Sequence, residues 1–179
     1  MEKIKKLRKL FNFYNLDGYI IPKNDEFFSE YIKEDKDRLK FISNFSGSNG
    51  IAIILKKKNY LFTDGRYTIQ AHKQCGKNFI IVTMPKKLPL NIFKNVRIKI
   101  GYDPKLHTRV FLKKFFFKTN CDLVCLEKNL VDELRLDKKK AIIKKFYSLP
   151  KKAIGLSYKF KLDKLIEKLL KKKIDFQFV

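Results

Sequence analysis

Histidine is scarce in this sequence: His72 and His107 are the only two in 179 residues. Neither has a carboxylate pair nearby or a second histidine at helical spacing, which argues against metal-assisted or triad catalysis built on them. Cysteine is limited to Cys75, Cys121 and Cys125, an odd number without an export signal, so reduced thiols in a cytoplasm are expected. Cys121 and Cys125 lie four apart in an apolar, strand-like stretch. Zinc there would have to recruit a distant histidine, so buried thiols are the expectation. No apolar run approaches membrane-spanning length, and the basic start MEKIKKLRKL is followed by FNFYNLDG, which breaks any signal core. Glycine numbers only seven, yet Gly47, Gly50 and Gly65 fall together between residues 38 and 74. GSNG lacks the following Gly-Lys-Ser/Thr of a phosphate loop and the spacing of a dinucleotide fingerprint, which excludes both cofactor readings.

Acidic residues are also the minority, 18 against 42 basic, for a net charge of +24. Clustered cations bind nucleic acid by neutralising phosphates and releasing counterions. Only six of the 42 are Arg, the residue whose planar fork reads phosphates and guanine edges, and the 36 Lys run from end to end. Phe, Tyr, Ile, Lys and Asn supply 91 residues while Gly, Ala, Pro and Arg supply 22, as translation of an AT-rich genome would give. The charge is therefore read as solvated positions that have drifted to Lys. A basic nucleic-acid-associated protein is kept as an alternative. Core material is plentiful: 17 Phe, 19 Ile and 45% hydrophobic residues exclude disorder, and the length suits one domain and the start of another.

Ile4, Leu7, Leu10 and Phe11 predict an amphipathic helix, ended by Asp17-Gly18 before the strand YIIP. IAIIL and YLFT around KKKN predict a hairpin of two buried strands. RYTIQAHKQ predicts a helix just after Asp64-Gly65, with Asp64 capping its first turn. FIIVTM, VRIKIGYD and CDLVCL predict strands, and RVFLKKFFF a helix with Val110, Phe111 and Phe115 inward. This alternation implies an α/β layered domain whose sheet is covered on both faces. After Leu126 the charged EKNLVDELRLDKKK and the break at Pro150 make 127–150 an expected linker. Beyond it, Leu162, Leu165, Ile166, Leu169 and Leu170 behind a Ser157 cap predict a helix, and IDFQFV a strand. One helix and one strand enclose no core, so 151–179 is expected to open a second domain that is truncated here.

Six blocks stand in a fixed order: DGYIIP, NDEFFSEYI, RLKFISNFSGSNGIAII, LFTDGRYTIQAHKQ, IGYDPKLHT and EKNLVDELR. They resemble the amino-terminal, non-catalytic domain (1–126 here) of Xaa-Pro aminopeptidases (aminopeptidase P), metallopeptidases of the creatinase/prolidase type. The tail from Ile154 is similar to the start of the middle domain in the family's three-domain form. The paired SNFSGSNG and TDGRY blocks carry most of the specificity. Departures are Phe27 where the family usually has His, Asn44 for a common Gly, and Asn49 for Ala.

The resemblance implies a three-layer α/β/α sandwich with a mixed sheet and a ribonuclease H-like motif. Such a domain leans over a carboxy-terminal catalytic domain, narrows access and helps hold short peptides with proline at the second position. It implies that Arg66 reaches the peptide, with Asp64, Gly65, Tyr67 and Ser46 supporting the rim and turn. From the residues alone, Arg66 at a strand end either offers its fork to a peptide carboxylate or carbonyl, or only pairs with Asp64; both stay open. No catalytic residue and no metal ligand is implied here: two divalent metals, manganese by this resemblance, belong to the catalytic domain outside the chain. The chain alone is expected to be inactive, and a decayed fragment is a further alternative.

Overall fold

Helix α1 (Glu2–Phe13) forms where apolar residues recur at three and four, and it buries Ile4, Leu7 and Phe11 while its lysines face solvent. The structure is a computed structural model and describes residues 2–135 and 145–176. The chain divides into two units, Met1–Lys139 and Lys140–Val179. After α1, the Asp17 carboxylate accepts the Lys99 N–H at 2.9 Å and pins the chain to the sheet. Strand β1 (Gly18–Pro22) follows, buried throughout. Its first residue must be glycine, because a Cβ there would lie 2.7 Å from the Ile54 carbonyl oxygen on the adjacent strand.

Then come α2 (Arg38–Ser43), the hairpin β2 (Ile51–Leu55) and β3 (Asn59–Asp64), a 3-10 turn over Gly65–Tyr67, and α3 (Thr68–Cys75). They are followed by β4 (Ile80–Met84), α4 (Pro89–Phe93), β5 (Ile98–Tyr102), α5 (Arg109–Phe115), β6 (Cys121–Cys125) and α6 (Leu130–Glu133). The sheet order is β4-β3-β2-β1-β5-β6, with β2 antiparallel to both neighbours and every other pair parallel. The carboxyl ends of five strands therefore meet at one end of the sheet, together with the amino end of β2.

Successive side chains on a strand point to opposite faces. Tyr19, Ile21, Ala52, Ile54 and Leu61 enter one core, with Leu7 of α1, Leu39 of α2, Ala71 of α3 and Leu130 of α6. Ile20, Ile51, Ile53 and Phe62 enter the other, with Phe93 of α4 and Leu112 and Phe115 of α5. This is the expected α/β/α sandwich with a mixed sheet.

Some local expectations are corrected. Val110 is 62% exposed, because α5 starts from a Thr108 cap and turns Leu112 inward in its place, together with Phe115 as expected. Cys125 at the end of β6 is exposed, and only Cys75 is a fully buried thiol. The charged stretch after Leu126 does not leave the first unit at once: Leu130 and Val131 are 0% exposed in its core. Residues 136–144 of the expected linker lie outside the described residues.

The second unit holds α7 (Lys151–Ile154) and α8 (Tyr158–Lys171). The Ser157 hydroxyl accepts the Phe160 N–H at 3.2 Å, the cap expected from the sequence. Leu162, Ile166 and Leu170 of the apolar stripe stay exposed. Residues 174–176 form no strand, and the remainder of IDFQFV, 177–179, lies outside the described residues.

Candidate functional site

Asp64 ends β3 in extended backbone, and its carboxylate accepts the Arg66 N–H at 2.9 Å, which starts the 3-10 turn leading into α3. The same carboxylate takes Arg66 Nε at 3.1 Å and Nη2 at 2.9 Å, and the Asn49 side-chain amide at 2.9 Å. Asn49 is itself held, because its carbonyl accepts the hydroxyl of buried Thr63 at 2.6 Å. Bonding to Arg66, with Asn49 in support, keeps the Asp64 carboxyl at about 2, well below the usual carboxylate range. The Arg66 side chain is nevertheless 73% exposed, and its Nη1 makes no hydrogen bond among the described residues. Its inner edge is clamped and its outer edge is open.

The loop over residues 44–50 buttresses this turn. Tyr67 shares a 2.6 Å hydrogen bond with the Ser48 hydroxyl, and its ring meets buried Phe45 edge-on at 6.1 Å. The Ser46 hydroxyl accepts the side-chain amides of Gln70 and Gln74 of α3 at 3.0 and 2.7 Å, so Ser46 anchors the loop without touching Arg66. Asn44 closes α2 with φ of 64°, the left-handed conformation that its short polar side chain tolerates almost as well as glycine would. At Gly65 an added Cβ would meet nothing within 4 Å. The fold does not need glycine there, and its effect is to leave open space beside Arg66. Asn49, Ser48, Gln70 and Gln74 complete the arrangement, and only Asn49 had any mark in the sequence, as a departure from the family's alanine.

A second polar group at this end of the sheet is His107, in the segment that joins β5 to α5. It is 7% exposed, stacked on Phe111 at 5.8 Å and edge-on to Tyr102 at 6.2 Å. Burial lowers its pKa to about 4, against a smaller raising effect of Asp103. An unfolded histidine titrates near 6.5. Between about pH 6.5 and 4 the unfolded chain binds a proton that the folded chain refuses, so stability falls as pH falls through that window. The loss from pH 7 to pH 5 is expected to be about 2 kcal/mol, and it should vanish in His107→Phe. Urea midpoints of both proteins at the two pH values check this; parallel shifts would show that His107 is not the titrating group.

Among the described residues no group of three or more His, Cys, Asp or Glu is placed to hold a metal ion. No helix among the described residues is long and apolar enough to cross a membrane.

The fold and the site define an α/β sandwich domain that presents an arginine-bearing rim where its strands end. Residues 3–136 match the Creatinase/Prolidase N-terminal domain model, and the chain belongs to that family. A Coprinopsis cinerea protein named "Probable Xaa-Pro aminopeptidase P" is 34% identical over 96% of this chain, and its Colletotrichum graminicola namesake is 37% identical over 95%. This chain spans 29% of the length of each. The X-prolyl aminopeptidase of Caenorhabditis elegans, described as a cytosolic enzyme with a di-nuclear active site, superimposes with a TM-score of 0.73 at 31% identity. That match covers 97% of this chain and 31% of the other. Xaa-Pro dipeptidase from Bacillus anthracis matches at 0.60 and 27% identity over 78% of this chain and 37% of its own.

Proposed function

We propose that this chain is the amino-terminal portion of a cytoplasmic Xaa-Pro metalloaminopeptidase, an enzyme that removes a residue preceding proline, and that it shapes how short peptides reach a catalytic domain outside the chain. The observation that carries this reading is the half-satisfied guanidinium of Arg66. A fork clamped on one edge by Asp64 has already lost much of its side-chain freedom, so a peptide carbonyl or carboxylate is bound at its open edge with little further ordering. The two fungal relatives and the Caenorhabditis elegans enzyme support the reading, because their matches run through the second unit as well as the first. In the same reading, two divalent metals, manganese among the candidates, belong to the catalytic domain, and the second unit with its exposed stripe on α8 opens a further domain.

Kinetics of the complete enzyme test it. Arg66→Ala is expected to lower kcat/KM for short Xaa-Pro peptides about ten- to hundred-fold, or about 1.5–3 kcal/mol for one charge-assisted contact. The melting temperature should hold, because an exposed ion pair contributes little to folding. Arg66→Lys should restore part of the activity, since a point charge keeps the attraction but not the two-pronged geometry. Unchanged kinetics, or melting that falls together with activity, would reject the role.

A further inference from the structure

Asp64 does more at the rim than close a strand. Capping the turn needs only one oxygen that accepts the Arg66 N–H, and Asn or Ser would supply it as well. The carboxylate instead turns both oxygens onto Arg66: Oδ1 accepts its N–H and Nε, and Oδ2 accepts Nη2 beside the Asn49 amide. Four donors fill the positions at which a carboxylate accepts, so Asp64 has nothing left to offer a ligand directly. Bonding to Arg66 also holds its carboxyl well below the usual range, so the group is ionised at neutral pH. The guanidinium is fixed on one face too, with its carbon 5.3 Å from the centre of the Tyr67 ring.

The charge at the rim follows from this pairing. Among the described residues no other charged side chain joins the hydrogen-bonded group of Asp64, Arg66 and Asn49, so its charges sum to zero. A terminal carboxylate at the open edge of Arg66 would be attracted by the guanidinium and repelled by Asp64 behind it. It would also have to shed the hydration of a full charge. A peptide carbonyl accepts the same N–H donors without either cost. The open space at Gly65 leaves room for a chain that runs on past the guanidinium.

We propose that Asp64 sets what Arg66 reads: by neutralising the guanidinium it confines the open edge to the carbonyl of a peptide bond, so the substrates are peptides that continue past Arg66 and not those whose carboxylate ends there. The assignment rests on the reading of Arg66 as a peptide contact. Asp64 is a positioning residue in it, acting on the substrate only through Arg66.

The test is the ratio of kcat/KM for free acid over amide in the complete enzyme, measured on a ladder of peptides from Ala-Pro to Ala-Pro-Ala-Ala-Ala. A ratio cancels any loss of folded protein. Arg66→Ala is expected to slow acids and amides alike, leaving the ratio within about threefold of the parent's at every length. Asp64→Asn keeps an oxygen for the cap and removes the negative charge. It should raise the ratio about tenfold at the length whose terminus falls on Arg66. Asn49→Ala takes one bond from Asp64 without changing its charge, and should leave the ratio where it was. The assignment is overturned by an Arg66→Ala loss confined to the free acids, by an Asp64→Asn ratio unchanged at every length, or by an Asn49→Ala ratio that moves as far as that of Asp64→Asn. Arg66→Ala kinetics unchanged on every peptide would be a separate result, removing the contact at Arg66 and this assignment with it.

Discussion

A chain ending at Leu126 is expected to lose the cooperative unfolding transition of the first unit, whereas one ending at Arg135 keeps it. The nine residues between them look like a charged connector, yet they complete the fold. Leu130 and Val131 are 0% exposed in the core beside α1 and β1, and burial of each contributes about 1.5–3 kcal/mol. Asn129 caps α6 through the N–H groups of Val131 and Asp132, and its amide donates to the buried Asp103 carboxylate at 2.9 Å. Asp132 supplies two of the hydrogen bonds to Arg38. Cutting before them exposes apolar surface and strands a buried cation at once, against a total stability of about 5–15 kcal/mol for an ordinary domain. Urea unfolding followed by far-ultraviolet circular dichroism separates the outcomes. Equal midpoints for the two chains would mean that α6 is dispensable.

Arg38→Ala is expected to cost about 3–5 kcal/mol, the range seen when one partner of a buried ion pair is removed. The Arg38 side chain is 1% exposed. Its Nε and Nη2 donate to the two Asp132 oxygens at 2.9 and 2.7 Å, and Nη2 also donates to Glu26 at 2.7 Å. Burial alone would raise the Glu26 carboxyl, but Arg38 and Lys36 outweigh it and hold the group at about 2. Removing the guanidinium leaves the two carboxylates facing each other across a cavity. Arg38→Lys should recover only part of the loss, because one ammonium cannot fork across Asp132 while reaching Glu26. A folded Arg38→Ala protein within about 1 kcal/mol of the parent in urea unfolding would show that this network is ornamental.

The rim at Arg66 was legible because its contacts are short in sequence. Asp64 and Arg66 are two residues apart, and an Asp before Gly at a strand end is a turn signal whatever the rest of the chain does. The 44–50 block was legible as part of a family pattern, but its partners on α3 were not: Ser46 meets Gln74 across 28 residues. Helix periodicity placed α5 correctly and still misjudged Val110, since the phase of a seven-residue helix depends on where its cap falls. Phe27 and Phe28 carried no helical or strand period. The Asp25 side chain that folds their loop competes with regular structure by hydrogen-bonding the backbone locally.

The sequence by itself determined the six strands of the sheet, helices α1, α3, α5 and α8, the two-sided burial of the sheet and the family, because alternation, spacing and turn residues are properties of neighbours along the chain. Only the tertiary structure decided which polar residues are spent and which are free. Arg38 and Arg66 look equally basic in the sequence, yet one is sealed against Asp132, 94 residues away, and the other keeps an open edge. Nothing in the sequence set His107 apart; strand order brought the end of β5 beside the end of β1, and the packing there removed water from its ring without supplying a partner among the described residues. Desolvation depends on what packs around a group in three dimensions, so that difference becomes visible only once the sheet is assembled.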